Sequence, residues 1–109
     1  MSSKEKIYRG SGNVFADLGL PHPERLMARS EMMIRIEEII RQRRWTQKKT
    51  ALILRIPQSK VSCLMNGKLS MFSMDLLFEL LNRLDRNIEI IIRTKPKNSK
   101  ATTHITLAA

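Results

Sequence analysis

The sequence predicts a mainly α-helical domain of four to five helices followed by a C-terminal β-strand, and three observations carry that expectation. Residues 24–44 contain neither Gly nor Pro and place Leu26, Met33, Ile36, Ile39 and Ile40 at helical spacing. Three further segments follow, each with its own start and stop residues. Residues 87–93 then change character, because the run through Ile88, Ile90 and Ile92 is β-branched and alternates with period two.

Residues 1–20 read as a flexible N-terminal arm: Gly10, Ser11, Gly12 and Asn13 precede an apolar stretch, residues 14–20, that could dock on another surface. Pro21 and Pro23 break the chain, and Pro23 suits the first turn of a helix, where its missing N–H costs nothing. After the first helix, Trp45-Thr46 interrupts the pattern, and Thr46 is an N-cap for a second helix to Leu54. Pro57 and Ser59 mark a third start, and Asn66-Gly67 a stop that supplies a left-handed residue. Ser73 caps a fourth helix to Leu84, with Leu76, Leu77, Leu80, Leu81 and Leu84 apolar and Asp75, Glu79 and Arg83 on the exposed side.

This reading divides the chain into the arm (1–20), a helical domain (21–86), a strand (87–93) and a disordered basic tail (94–109). A lone strand leaves N–H and C=O groups unpaired on both edges. Its candidate partners are the 14–20 arm and the same strand of a second copy. The second is expected, with Ile88, Ile90 and Ile92 forming an antiparallel homodimer contact.

The net charge of +10 is unevenly placed. Arg41, Arg43, Arg44, Lys48, Lys49, Arg55, Lys60 and Lys68 fall between residues 41 and 68 with no acid among them, a local charge of +8. Residues 1–40 sum to zero. A one-sign block of this length reads as a footprint for a polyanion. Other classes lack support. One Cys makes no internal disulfide, two His are too few for a structural zinc site, and no apolar run approaches the roughly 20 residues of a membrane span. Met1–Arg9 has no apolar signal core, so a cytoplasmic protein is expected, without a cofactor. Nothing suggests an enzyme: there is no Gly-rich phosphate loop and no carboxylate pair that stands out from helix surface charge. The aromatic residues form no row on which single-stranded RNA could stack.

The informative segment is residues 46–67. A helix-turn-helix needs a small residue where two helices nearly touch, a bend, and apolar residues on the inner face of the second helix. Ala51 supplies the first, Arg55-Ile56-Pro57 the second, and Val61 and Leu64 the third. Gln58, Ser59, Lys60, Ser62 and Cys63 remain outward, mostly short polar side chains within the basic block. That composition suits a helix whose N-terminal end meets base edges in the major groove.

At Thr46-Gln47, Ala51 and the run from Gln58 to Gly67 the sequence resembles the Xre/Cro family of lambda-repressor-like DNA-binding domains. The resemblance implies a helix-turn-helix bundle that reads a palindromic operator in duplex DNA as a homodimer and represses transcription. Carried over by position, it implies base contacts from Gln58 and Ser59, to which Ser62 and Cys63 are added as outward neighbours. It further implies phosphate contacts from Gln47, which can brace Gln58, and from Asn66. Charge and position add Lys48, Lys60, Lys68, Arg43 and Arg44 as phosphate contacts. Two departures stand out. Arg55 occupies the bend where glycine is usual, at a cost of roughly 1 kcal/mol if the left-handed conformation is kept. Thr50 stands where an apolar residue is common.

The arm from Gly12 to Pro21, the 67–73 link, the leucine-rich helix and the Ile-rich strand are also similar to small HigA-type antitoxins. That likeness implies autorepression of an operon and neutralisation of a RelE/HigB-like toxin, for which the 14–20 arm is the candidate surface.

Overall fold

The structure, a computed structural model, describes residues 13–99 together with Thr102 and Ile105. Five α-helices follow one another: α1 (Val14–Asp17), α2 (Pro23–Arg43), α3 (Gln47–Leu54), α4 (Gln58–Met65) and α5 (Met74–Arg83), with a 3-10 turn at Leu69–Met71 before the last.

The helix starts follow from local chemistry. Thr46 Oγ1 accepts from the Lys49 amide at 3.1 Å and Ser73 Oγ from the Leu76 amide at 3.1 Å, each satisfying a donor that has no acceptor within its helix. Pro23 opens α2 from the first turn. The stops are left-handed residues: Arg44 ends α2 with φ 56°, Arg55 ends α3 with φ 57°, and Gly67 follows α4 with φ 67°. Only the last of these is glycine.

α2 is the spine. Its buried stripe is Ala28, Met32, Met33, Ile36, Ile39 and Ile40, and Leu26 is only half-buried at its margin. Against this stripe pack Leu54 of α3, Leu64 of α4, Phe72 of the link, and Leu77, Leu80 and Leu84 of the leucine-rich end. Val61 is fully buried on the inner face of α4. Thr50 is also fully buried, and it is not a defect: its Oγ1 donates to the Thr46 carbonyl at 2.8 Å, so the buried hydroxyl has a partner.

Two arginines act inside the fold. Arg29 on α2 donates to the Phe72 carbonyl at 3.1 Å and more weakly to the Leu69 carbonyl at 3.4 Å, pinning the 3-10 turn. Arg83 on α5 donates to the Leu54 carbonyl at 2.6 Å. The expectation that Arg83 lies on the exposed side is therefore corrected: it turns inward, because the end of α3 presents a carbonyl without an intrahelical donor.

The arm and the C-terminal segment also depart from expectation. Residues 13–20 are a docked helical turn: Asn13 Oδ1 caps α1 by accepting from the Phe15 and Ala16 amides, while its Nδ2 donates to the Pro23 carbonyl and to Glu24. Residues 1–12, the rest of the expected flexible arm, lie outside the described residues. The expected strand at 87–93 is not formed, since no described residue is in a strand. The physical reason is pairing. Strand geometry needs a ladder partner, and the one intrachain candidate, residues 14–20, is committed to α1 and its following turn. Ile90, Ile91 and Ile92 are 71%, 66% and 91% exposed. Within the expected disordered tail, Ile105 returns to the domain, packs against the core and donates its amide to Glu31 at 3.0 Å.

Arg55 adopts a conformation that costs a Cβ-bearing residue about 1 kcal/mol or more. Arg55→Gly is accordingly expected to raise stability by about 0.5–1 kcal/mol, after the larger unfolded-state entropy of glycine is set against the relieved strain. Urea denaturation checks this, with an upward shift in the midpoint and an unchanged slope.

Candidate nucleic-acid interface

The site is built on α3, the bend and α4. The bend begins with the left-handed Arg55, whose amide donates to the Ala51 carbonyl, as does that of Ile56 at 3.2 Å. Ala51 is thus both the small contact residue and the acceptor that closes the turn. Pro57 then sets the extended entry to α4 and offers no side-chain cap. The amides of Gln58 and Ser59 begin the helix without intrahelical acceptors, at its positive dipole end.

The outward residues separate into two groups. Gln58 and Ser59 are exposed in the first turn of α4. Ser62 and Asn66 continue the same face at helical spacing from Ser59. Asn66 is exposed, but its Nδ2 donates to the Ser62 carbonyl at 2.9 Å and lies 3.4 Å from Ser62 Oγ, so part of its donor capacity closes the helix end. The second group faces inward. Cys63 is half-buried and packs against the core, which corrects its placement as an outward residue. Val61 and Leu64 draw that side of α4 inward, and Cys63, next to Leu64, follows. Lys60 is half-buried too, with its Nζ 5.5 Å from the centre of the Phe72 ring, a cation–π contact. Its charge is anchored over the core.

The surrounding cations are exposed at helix ends. Gln47 and Lys48 open α3, Arg43 and Arg44 close α2, and Lys68 follows α4; all five are exposed. No hydrogen bond joins Gln47 to Gln58 among the described residues. Trp45 is half-buried and packs on the core, and its ring gathers two cations, the Arg43 guanidinium at 5.9 Å and Lys49 Nζ at 6.0 Å. Composition marks Lys49 only as one of the basic block; its position four residues beyond Trp45, at the start of a helix, is the signal for this contact. Arg41, by contrast, is engaged in an ion pair with Glu37 at 2.9 Å. No group of three or more potential metal ligands occurs among the described residues, and no described helix is long and apolar enough to cross a membrane.

This arrangement has known counterparts. The family profile of a helix-turn-helix domain matches residues 14–93, most of the chain. A solved chain described as an XRE-family transcriptional regulator superposes with a TM-score of 0.73 at 37% identity, covering 82% of this chain and 100% of its own. The chain belongs to the XRE-type helix-turn-helix family. The matched span of this XRE-type domain begins at α1 and runs through residue 93, so the docked turn and the Ile-rich segment both fall within it. No curated protein matches the sequence.

Proposed function

We propose that this XRE-type protein is a sequence-specific regulator of transcription that binds duplex DNA through α4. The observation that carries this reading is the exposure of Gln58 and Ser59 on α4, with the half-buried Ser62 following on their face, together with exposed cations from three other parts of an acid-free block. In this reading Gln58 and Ser59 meet base edges, where a glutamine can bond adenine bidentately, and Ser62 contributes beside them. Gln47, Lys48, Arg43, Arg44, Lys68 and Asn66 hold phosphates and set the register. Lys60 contributes field more than reach, because its ammonium rests over Phe72.

Readers and anchors separate experimentally. Gln58→Ala is expected to relax base preference at one position of a selected duplex, with a loss of about 1–3 kcal/mol on the preferred sequence only. Lys48→Ala is expected to weaken all sequences alike and to reduce the slope of log K against log salt by about 0.9. Fluorescence anisotropy across a salt series distinguishes the two; uniform loss in both variants would refute the division.

The homodimer is part of the same proposal. Ile90, Ile91 and Ile92 are exposed in succession, an apolar run left largely uncovered by the described residues. Antiparallel pairing of residues 87–93 with a second copy through Ile88, Ile90 and Ile92 would supply the missing ladder. It would also place two recognition helices on a two-fold axis, as a palindromic operator requires. Ile90→Lys is expected to yield a monomer in sedimentation velocity where the parent chain is a dimer. An undisturbed dimer refutes the strand contact.

The antitoxin role is the finer reading. It draws on the exposed Val14, Leu18 and Leu20 beside the exposed Ile34, and on a groove of about 190 Å³ lined by Phe15, Met33, Ile34, Leu64 and Leu69. A largely apolar surface of this kind, with Ser30 and Glu37 as its polar lining, suits a protein partner such as a RelE/HigB-like toxin. Deleting the whole arm would also remove the Asn13 cap, so the sharper variant is Leu18→Lys, which keeps the docked turn. Co-expressed with a toxin encoded beside the gene, Leu18→Lys is expected to lose growth rescue while retaining operator binding. Full rescue leaves the protein a plain repressor.

A further inference from the structure

We propose that Arg83, on α5, is a positioning residue for sequence recognition: by holding the Leu54 carbonyl it fixes the bend from which α4 projects. This rests on the reading of α4 as the helix that meets base edges. Leu54 is the last residue of α3 and is completely buried, so its carbonyl stands at the edge of the core at the negative end of the helix dipole. The donor that reaches it comes from 29 residues further along the chain, at 2.6 Å. The guanidinium is itself steadied: its Nη2 lies 3.7 Å from Glu79 one turn earlier, and the side chain is 28% exposed. The next residue after Leu54 is the left-handed Arg55.

A charge-assisted bond at that point holds the peptide that leads into the strained residue. The backbone bonds to the Ala51 carbonyl fix the turn relative to α3 alone. Arg83 ties the same turn to α5, which packs on the α2 spine, so the bend is referenced to the whole domain. Without that tie the direction of α4 rests on its own inner contacts, those of Val61, Cys63, Leu64 and Met65, which do not hold the peptide that leads into the bend. Base edges are read within a few tenths of an ångström. Phosphate attraction is far more tolerant. Losing the tie therefore reduces specific binding selectively, and Arg83 itself touches no base.

The test measures the ratio of affinities for two probes in the full chain: a duplex selected by the parent protein from a randomised library, and a duplex of scrambled sequence. Measurements are made at a temperature where every variant is fully folded. Arg83→Met is expected to lower the ratio about tenfold with scrambled-duplex affinity within twofold of the parent, and Arg83→Lys, which keeps a cationic donor, to restore most of it. The control is Asn82→Ala, which removes a similar side-chain bond to a carbonyl, that of Arg86 at 2.9 Å, away from the bend. It is expected to lower the melting temperature and leave the ratio unchanged.

An unaltered ratio in Arg83→Met, or an equal fall in Asn82→Ala, overturns the inference. Should Arg83→Met fail to fold, the same comparison is made in an Arg55→Gly background, which relieves the strained residue, with the same expected and overturning results. A parent protein that selects no sequence at all would instead sink the DNA-reading proposal, which separates the two failures.

Discussion

The bend between α3 and α4 must be made without glycine, and much of the domain is organised around that constraint. A left-handed Arg55 carries a steric cost that the surrounding structure has to over-determine. It does so from three directions. Ala51 accepts two amides of the turn, Leu54 and Val61 are fully buried on either side of it, and Arg83 bonds the carbonyl just before it. Because the two flanking side chains belong to one core, α3 and α4 cannot separate without opening that core. A two-residue loss of this kind costs several kcal/mol by the usual scale of large-to-small substitutions. The strain at Arg55 is smaller than what holds it.

The charge of the same region is arranged with a similar economy. Of the eight cations between residues 41 and 68, Arg41 is paired with Glu37, Lys60 rests over Phe72, and Arg43 and Lys49 share the Trp45 ring. Only the Arg41–Glu37 pair offsets a charge; the cation–π contacts leave the positive field in place. An exposed ion pair contributes at most about 1 kcal/mol, and a cation–π contact leaves the charge in place. What they do is reduce the conformational freedom of long side chains that would otherwise have to be ordered on binding. Glu37 reaches the block and offsets Arg41, but no other ion pair among the described residues involves its cations, so most of its potential survives folding.

Much of this was legible in the sequence, and the reasons are physical. Helix starts depend on one side chain and one amide three residues on, so Thr46 and Ser73 identified themselves; so did Gly67, whose conformation few other residues adopt. The inner face of α4 followed from the spacing of Val61 and Leu64. Arg55 stands at the bend position where the motif favours glycine, a departure that leaves its conformation open; the structure gives it the left-handed one. What failed was long-range. Arg83 read as surface charge because its partner is a carbonyl 29 positions away, which no periodicity reports. Arg29 was hidden for the same reason, its acceptors lying 40 and 43 positions on. Cys63 reads as outward because Val61 and Leu64 alone define the inner face by spacing, and its half-burial depends on how far α4 is rolled toward the core.

The Ile-rich segment marks the boundary of such reasoning most sharply. Its composition specifies an extended, apolar strand, whereas a strand also requires a backbone partner, and the described residues supply none once residues 14–20 have folded into α1 and its turn. The segment therefore takes no regular secondary structure and leaves three consecutive isoleucines exposed. Each of those side chains is worth about 1.5–3 kcal/mol when fully buried, so an uncovered run of this kind favours association strongly. A second copy offers the matching edge, the matching apolar face and, by symmetry, a second α4. One recognition helix contacts only a few base pairs, and its affinity from base readout is correspondingly limited. Association through residues 87–93 would double that readout while covering the exposed isoleucines, so the same short segment would serve both solubility and recognition.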